Sequence, residues 1–162
     1  MTTVSEVMTR GVRSLAPTDS VLLAAQAMEA LNVGAIPVCE GDRLVGMVTD
    51  RDIVLRSVAQ DRNAGTTQLK DVMSSDVEST REGESIDAAL QQMSRAQIRR
   101  LPVLDGDQRL VGILSLGDVA VKERGEALDV AASLSDISAP AQPDRSGQSE
   151  ASGPAGGGAA VR

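Results

Sequence analysis

The sequence contains no His, Phe, Trp or Tyr and a single Cys. Each absence removes a class of chemistry. Without His there is no Ser–His or Cys–His nucleophile and no imidazole metal ligand. One Cys allows neither an internal disulfide nor a cysteine-ligated zinc. Without aromatic rings there is no stacking platform for single-stranded nucleic acid, so a planar base would have to lie between aliphatic side chains and backbone. Long apolar runs are missing as well. Nothing approaches the roughly 18 residues of a membrane span, and the opening MTTVSEVMTR lacks the apolar stretch of a secretory signal. The expectation is a cytoplasmic protein with no membrane partner. Positive charge is in short supply: 16 Lys and Arg stand against 23 Asp and Glu, a net charge of −7. Nucleic-acid backbones need clustered cations, so a nucleic-acid partner is not expected.

What is present reads as a globular chain. Its 162 residues are 41% apolar and 24% charged, long enough for a core of useful size. A C-terminal segment separates by composition. Between Ser138 and Arg162, 18 of 25 residues are Ala, Gly, Pro or Ser, too few apolar groups to offset the entropy of ordering. We expect a first domain over 1–62, a second over 63–125 and a flexible acidic tail over 126–162.

The body carries an internal repeat. Asp19–Asp42 aligns with Glu84–Asp107 at a shift of 65, with eight of 24 positions identical. Allowing for one inserted residue at Gln108, Arg43–Val54 aligns with Arg109–Ala120, with five of 12 identical. Val7-Met8-Thr9 matches Val72-Met73-Ser74 at the first shift. A period this long fits two copies of a small domain better than a solenoid. Each copy reads as strand, helix, strand, strand, helix. Val12–Leu15 is a strand candidate, and Asp19-Ser20 is a helix start. Val21, Ala24, Ala25, Met28 and Leu31 follow at helical spacing, with Ile86, Ala89, Leu90, Met93 and Ala96 as their counterparts. Ile36–Cys39 and Leu44–Val48 form a hairpin around Glu40-Gly41-Asp42, as do Leu101–Leu104 and Leu110–Leu114 around Asp105-Gly106-Asp107. Ala59–Gln68 reads as the connector. A copy of some 50 ordered residues is marginal alone. The two should pack together with pseudo-twofold symmetry and clefts along the internal axis.

The hairpin-to-helix junctions read Gly46-Met-Val-Thr-Asp-Arg-Asp52 and Gly112-Ile-Leu-Ser-Leu-Gly-Asp118. Thr49 with Asp52, and Ser115 with Asp118, match a helix capping box, which is a purely structural role. The same pairing at a helix N-terminus suits a vicinal diol such as ribose, since a carboxylate accepts from both hydroxyls. Arg99 and Arg100 read either as a solvated pair or as phosphate-binding guanidinium forks. Cys39 reads as a small core residue. Ser115 is not a nucleophile, since the nucleophile-elbow spacing is wrong and no His exists. The carboxylate pairs Asp50/Asp52 and Asp105/Asp107 read as helix-start and turn acids, leaving no metal site.

The set Val-Met-Thr, Gly-Ala-Ile-Pro-Val, Leu-Val-Gly-Met-Val-Thr-Asp-Arg-Asp-Ile, Arg-Arg-Leu-Pro-Val and Leu-Val-Gly-Ile-Leu-Ser-Leu-Gly-Asp-Val resembles a tandem pair of CBS domains, a Bateman module, over about Val4–Arg124. It is most similar to small stand-alone bacterial proteins made only of this pair. The resemblance implies an α/β (α+β) fold of two βαββα units. It implies a non-catalytic regulatory module that requires no cofactor and takes AMP, ADP, ATP or S-adenosylmethionine as effector, with no catalytic residues. By that likeness Thr49 and Asp52 hold ribose in one cleft, Ser115 and Asp118 in the other. Ile98, Arg99 and Arg100 would face the first ligand, Gly34 and Ala35 the second, with Val12 and Val77 near the base. Arg99 and Arg100 would give the first cleft the preference for an anionic nucleotide, leaving the second weaker or suited to a less charged ligand. A flat homodimer is implied, with the Val21–Leu31 stripe supplying part of the contact. The competing expectation is a ligand-free interaction module that dimerises or docks on an unknown protein partner.

Overall fold

The computed structural model describes residues 1–122, so the tail assigned to 126–162 lies outside the described residues. In chain order the elements are α1 (Val4–Val7), β1 (Thr9–Arg10), α2 (Val21–Leu31), β2 (Ala35–Glu40), β3 (Arg43–Thr49), α3 (Asp50–Arg56), β4 (Thr80–Arg81), α4 (Ile86–Ala96), β5 (Arg100–Leu104), β6 (Leu110–Ser115) and α5 (Leu116–Lys122). Short 3-10 turns at Val58–Gln60 and Leu69–Asp71 join the halves.

The helices start where the sequence signals them. Ser20 accepts from the Leu23 amide at 3.1 Å and Ser85 from the Ala88 amide at 3.2 Å, each satisfying an orphan donor of the first turn. Both helices end on a left-handed residue, Asn32 and Gln97. The buried stripes are Val21, Ala24, Ala27 and Met28 on α2, and Ile86, Ala89, Leu90 and Met93 on α4. Ala25 and Leu31 differ from expectation. Ala25 is turned to solvent and Leu31, on the last turn, is 47% exposed, while Ala27 takes the inward position. The inward face of α2 is thus occupied by its own core and is not free to join two chains.

The sheets reproduce the repeat, with one twist in the connectivity. β5 pairs antiparallel with β6, and β4 adds to β5 in parallel. β2 pairs antiparallel with β3, and Leu15 adds to Val38 in parallel. Of the expected strand Val12–Leu15 only Leu15 pairs, bonding both ways with β2 through the Pro37 carbonyl and the Cys39 amide. The outer edge of each sheet is closed by the opposite half. Thr9 of β1 pairs with Ile113 of β6, and Ser74 pairs with Met47 of β3. Thr3 pairs with Ser85, and Gln68 with Ser20. Every one of these contacts has a partner under the repeat shift, which is pseudo-twofold symmetry read from the hydrogen bonds.

The cores follow the same crossing. Val4, Val7 and Met8 pack with α4, β5, β6 and α5, while Leu69 and Val72 pack with α2, β2, β3 and α3. A basic residue late in each junction helix pins the crossing strap. Arg56 donates to the carbonyls of Val72 and Met73 at 3.0 and 3.1 Å, and Lys122 donates to the Glu6 carbonyl at 2.9 Å. The two halves also meet at their hairpin ends, where Arg43 bridges Arg109 and the Leu110 amide donates to the Asp42 carbonyl at 2.9 Å.

Candidate functional site

Each junction motif ends a strand and opens a helix at the seam between the halves. At the first, the Asp52 amide donates to Thr49 Oγ1 at 3.1 Å, and the Thr49 amide donates to Asp52 Oδ2 at 3.0 Å. At the second, the Asp118 amide donates to Ser115 Oγ at 3.0 Å, and the Ser115 amide donates to Asp118 Oδ2 at 3.1 Å. Both are complete capping boxes. Capping and ligand binding do not exclude each other, because the cap uses one carboxylate oxygen. Asp52 Oδ1 lies 3.9 Å from Arg56 Nη1, and Asp118 Oδ1 has no protein partner among the described residues.

Both junctions open onto clefts. The first cleft, of about 350 Å³, is lined by Thr49, Asp52, Val77, Ile98, Arg99 and Arg100. Ala35, Met47, Ser74, Asp76, Glu78, Ala96 and Pro102 complete it. The second, of about 240 Å³, gathers Ser115, Asp118, Val12, Ala35 and Arg100 with Thr9, Arg13, Leu31, Val33, Ile36 and Ile113. The first is of the size of small-molecule pockets, about 300–1,000 Å³, and the second falls just short. Residues of both halves line each cleft, because the crossing straps bring Ser74–Glu78 to one and Thr9–Arg13 to the other.

Gly34 lines neither cleft. Its carbonyl accepts from the Asp50 amide at 3.0 Å, and a Cβ there would stand 3.1 Å from Asp50 Oδ2. Its small size serves that close approach to the α3 N-terminus. Arg99, its counterpart, braces α5 the same way, its carbonyl accepting from the Leu116 amide at 2.9 Å.

A profile of the CBS domain matches residues 4–58 and again 69–123. This chain belongs to the CBS domain family. It is 46% identical over 123 residues to the CBS domain-containing protein YhcV of Bacillus subtilis (strain 168), covering 76% of this chain and 86% of that one. The CBS domain pair of protein MJ0100, solved in complex with 5′-methylthioadenosine and S-adenosyl-L-methionine, superposes with a TM-score of 0.66 at 26% identity. That match covers 74% of this chain and 98% of the other. CBSX2, solved in complex with AMP, superposes with a TM-score of 0.65 at 27% identity, covering 75% and 95%.

Charge is distributed unevenly around the two clefts of this CBS pair. The first holds Arg99 and Arg100 against Asp52, Asp76 and Glu78, and Glu78 Oε2 accepts from Gln92 Nε2 at 2.6 Å. The second holds Arg13 and Arg100 against Asp118 alone. The expectation that the arginine pair makes the first cleft the anionic one therefore meets two carboxylates from the crossing strap. Arg100, moreover, belongs to both clefts. No sequence signal placed Asp76, Glu78 or Arg13, since each arrives on a segment whose pairing is long-range.

The acid-rich turn of the second hairpin is a structural device. Asp105 Oδ1 accepts from the amides of Asp107 and Arg109 at 2.8 and 2.9 Å, and Oδ2 from Arg109 Nε at 2.9 Å. The Arg109 backbone N–H first, then that of Asp107 and the Arg109 guanidinium, hold the Asp105 carboxyl below the usual carboxylate range. Among the described residues no group of three His, Cys, Asp or Glu side chains could hold a metal ion. Among them, too, no helix is long and apolar enough to cross a membrane.

Proposed function

We propose that this CBS pair is a non-catalytic regulatory module, cytoplasmic and homodimeric, that binds adenosyl ligands in the clefts between its halves and senses nucleotide or metabolite state. One observation carries the reading. A hydroxyl and a carboxylate, locked together by a capping box, line each inter-repeat cleft, with one carboxylate oxygen left outside the box. Such a pair accepts from both hydroxyls of a ribose, and hydrogen bonds to a charged group contribute about 1.5–3 kcal/mol each. The aliphatic lining of Val77, Ile98 and Pro102 suits a purine without aromatic stacking. The ligands bound by MJ0100 and CBSX2 support the adenosyl class. Binding AMP, ATP or S-adenosylmethionine at 100 times Kd should raise stability by about 2.7 kcal/mol, a visible rise in melting temperature. Flat melting curves with all three would sink the reading.

A second reading has its own observation. Leu22, Val54, Leu55 and Val58 are large apolar side chains between 45% and 65% exposed on α2, α3 and the turn that follows. Exposed apolar side chains of this kind suit a protein contact. They would supply the dimer in the first reading, and alone they would support a ligand-free interaction module docking on a second copy or another protein.

A further inference from the structure

Arg100 and Ala35 occupy equivalent positions under the repeat shift, at the first residues of β5 and β2. Both line both clefts. In register, Arg100 stands opposite Ser115 and Ala35 opposite Thr49, so each lies beside one cap hydroxyl. The pseudo-twofold axis thus offers two places for a cation, and this chain fills one. Arg100 is exposed, and among the described residues no ion pair or side-chain hydrogen bond holds it. An exposed arginine on a flexible stem can turn to either side, but its guanidinium cannot serve two phosphates that lie in different clefts.

We propose that Arg100 is a single cation shared by the two clefts, so that phosphorylated adenosyl ligands bind them antagonistically while uncharged ones do not. The proposal rests on the adenosyl reading above. A phosphate in one cleft draws the guanidinium to it. The other cleft then offers its phosphate only Arg99, faced by Asp76 and Glu78, or only Arg13. By linkage the effect is reciprocal, whichever cleft fills first. An uncharged ligand makes no claim on Arg100, so its two binding events stay independent.

Calorimetric titration with AMP and with 5′-methylthioadenosine tests this. The affinity of the last-filled cleft of the unmodified protein is compared with the same cleft alone, the other disabled by Asp52→Asn or Asp118→Asn. For AMP the cleft should bind about tenfold more tightly when its neighbour is disabled, within the usual range of coupling between sites. For 5′-methylthioadenosine the ratio should be close to one. Arg100→Ala should bring the AMP ratio close to one, and so should Ala35→Arg, which supplies the missing second cation. A tenfold ratio that persists in Arg100→Ala, or appears equally with the uncharged ligand, would overturn the proposal while leaving the adenosyl reading intact. A ratio of one for AMP in the unmodified protein would do the same. Failure of both molecules to bind would overturn the adenosyl reading and the proposal together.

Discussion

Gly46 tests the crossing of the two halves. It lies within β3, opposite Val38, where the strap carrying Ser74 closes the sheet edge. The Met47 amide donates to the Ser74 carbonyl and the Ser74 amide to the Met47 carbonyl, both at 2.9 Å. A Cβ on residue 46 would stand 2.8 Å from the Ser74 carbonyl oxygen and 2.8 Å from Met73 Sδ. The Met73 side chain can swing away. The carbonyl cannot move without loosening the two bonds that hold it. Overpacking of this kind costs typically about 1–3 kcal/mol, and the loosened hydrogen bonds add roughly 0.5–1.5 kcal/mol each. Replacing Gly by Ala recovers about 0.4–1 kcal/mol through the unfolded chain. Gly46→Ala should therefore destabilise by about 3 kcal/mol, a fall in melting temperature of roughly 6–12 °C for a chain of this size. Circular dichroism melting reads it directly. Gly106→Ala is the control, because no heavy atom lies within 4 Å of its Cβ position and its φ is not positive. That variant should match the parent or exceed it by up to about 1 kcal/mol, the gain from the unfolded chain alone. Gly112→Ala should repeat the Gly46 result at the other seam, where the Thr9 carbonyl oxygen is 2.6 Å away. Melting of Gly46→Ala within about a degree of the parent would refute the account of the strap, since a tight seam cannot absorb a methyl group at no cost.

Asp52→Ala should lower the melting temperature modestly, by the roughly 1 kcal/mol of the lost bond from the Thr49 amide while the Thr49 hydroxyl still caps the helix, and should weaken AMP binding at the first cleft about tenfold or more in calorimetry. A loss of stability without any loss of binding would leave Asp52 a structural residue. Met93→Ala, at a fully buried position of α4, should cost about 2–5 kcal/mol in chemical denaturation, because it leaves a cavity in the core formed with Leu90, Leu101 and Leu114. Cys39 is 4% exposed, and burial first, then the nearby Asp42 charge, pushes its thiol above the ordinary value against a lowering hydrogen bond from Ser14. Thiol reagents at neutral pH should label the native protein slowly and the unfolded protein fast, since the thiolate is the reactive form; equal rates would contradict the burial.

The short-range part of this architecture was legible residue by residue. Ser20, Thr49 and Ser115 each mark a helix start, and each caps one. The acidic glycine turns mark the hairpins, and both hairpins form, each with a shift in register, at Val38/Cys39 and at Val103/Leu104. The inward stripe of α2 was read correctly at Val21, Ala24 and Met28, but it took in Ala25 and Leu31, which are exposed, and missed Ala27. Periodicity over so short and Ala-rich a helix leaves the phase loosely defined. The Val12–Leu15 strand shrank to one paired residue because the rest of that segment leaves the sheet to line a cleft. Gly34, expected at a ligand, instead makes room for Asp50.

By itself, then, the order of residues determined that two copies of one small unit exist, where each helix begins, which side chains are apolar enough to be inside, and that a hydroxyl and a carboxylate sit together at each junction. Those features depend on neighbours a few positions apart, whose interactions are dictated by backbone geometry alone. Tertiary structure decided that each half is closed by a strap from the other. It also brought Asp76 and Glu78 to one cleft and Arg13 to the other, and set Arg100 between the two. Such placements depend on packing between segments far apart in the chain, and no local pattern encodes which edge a free strand will find.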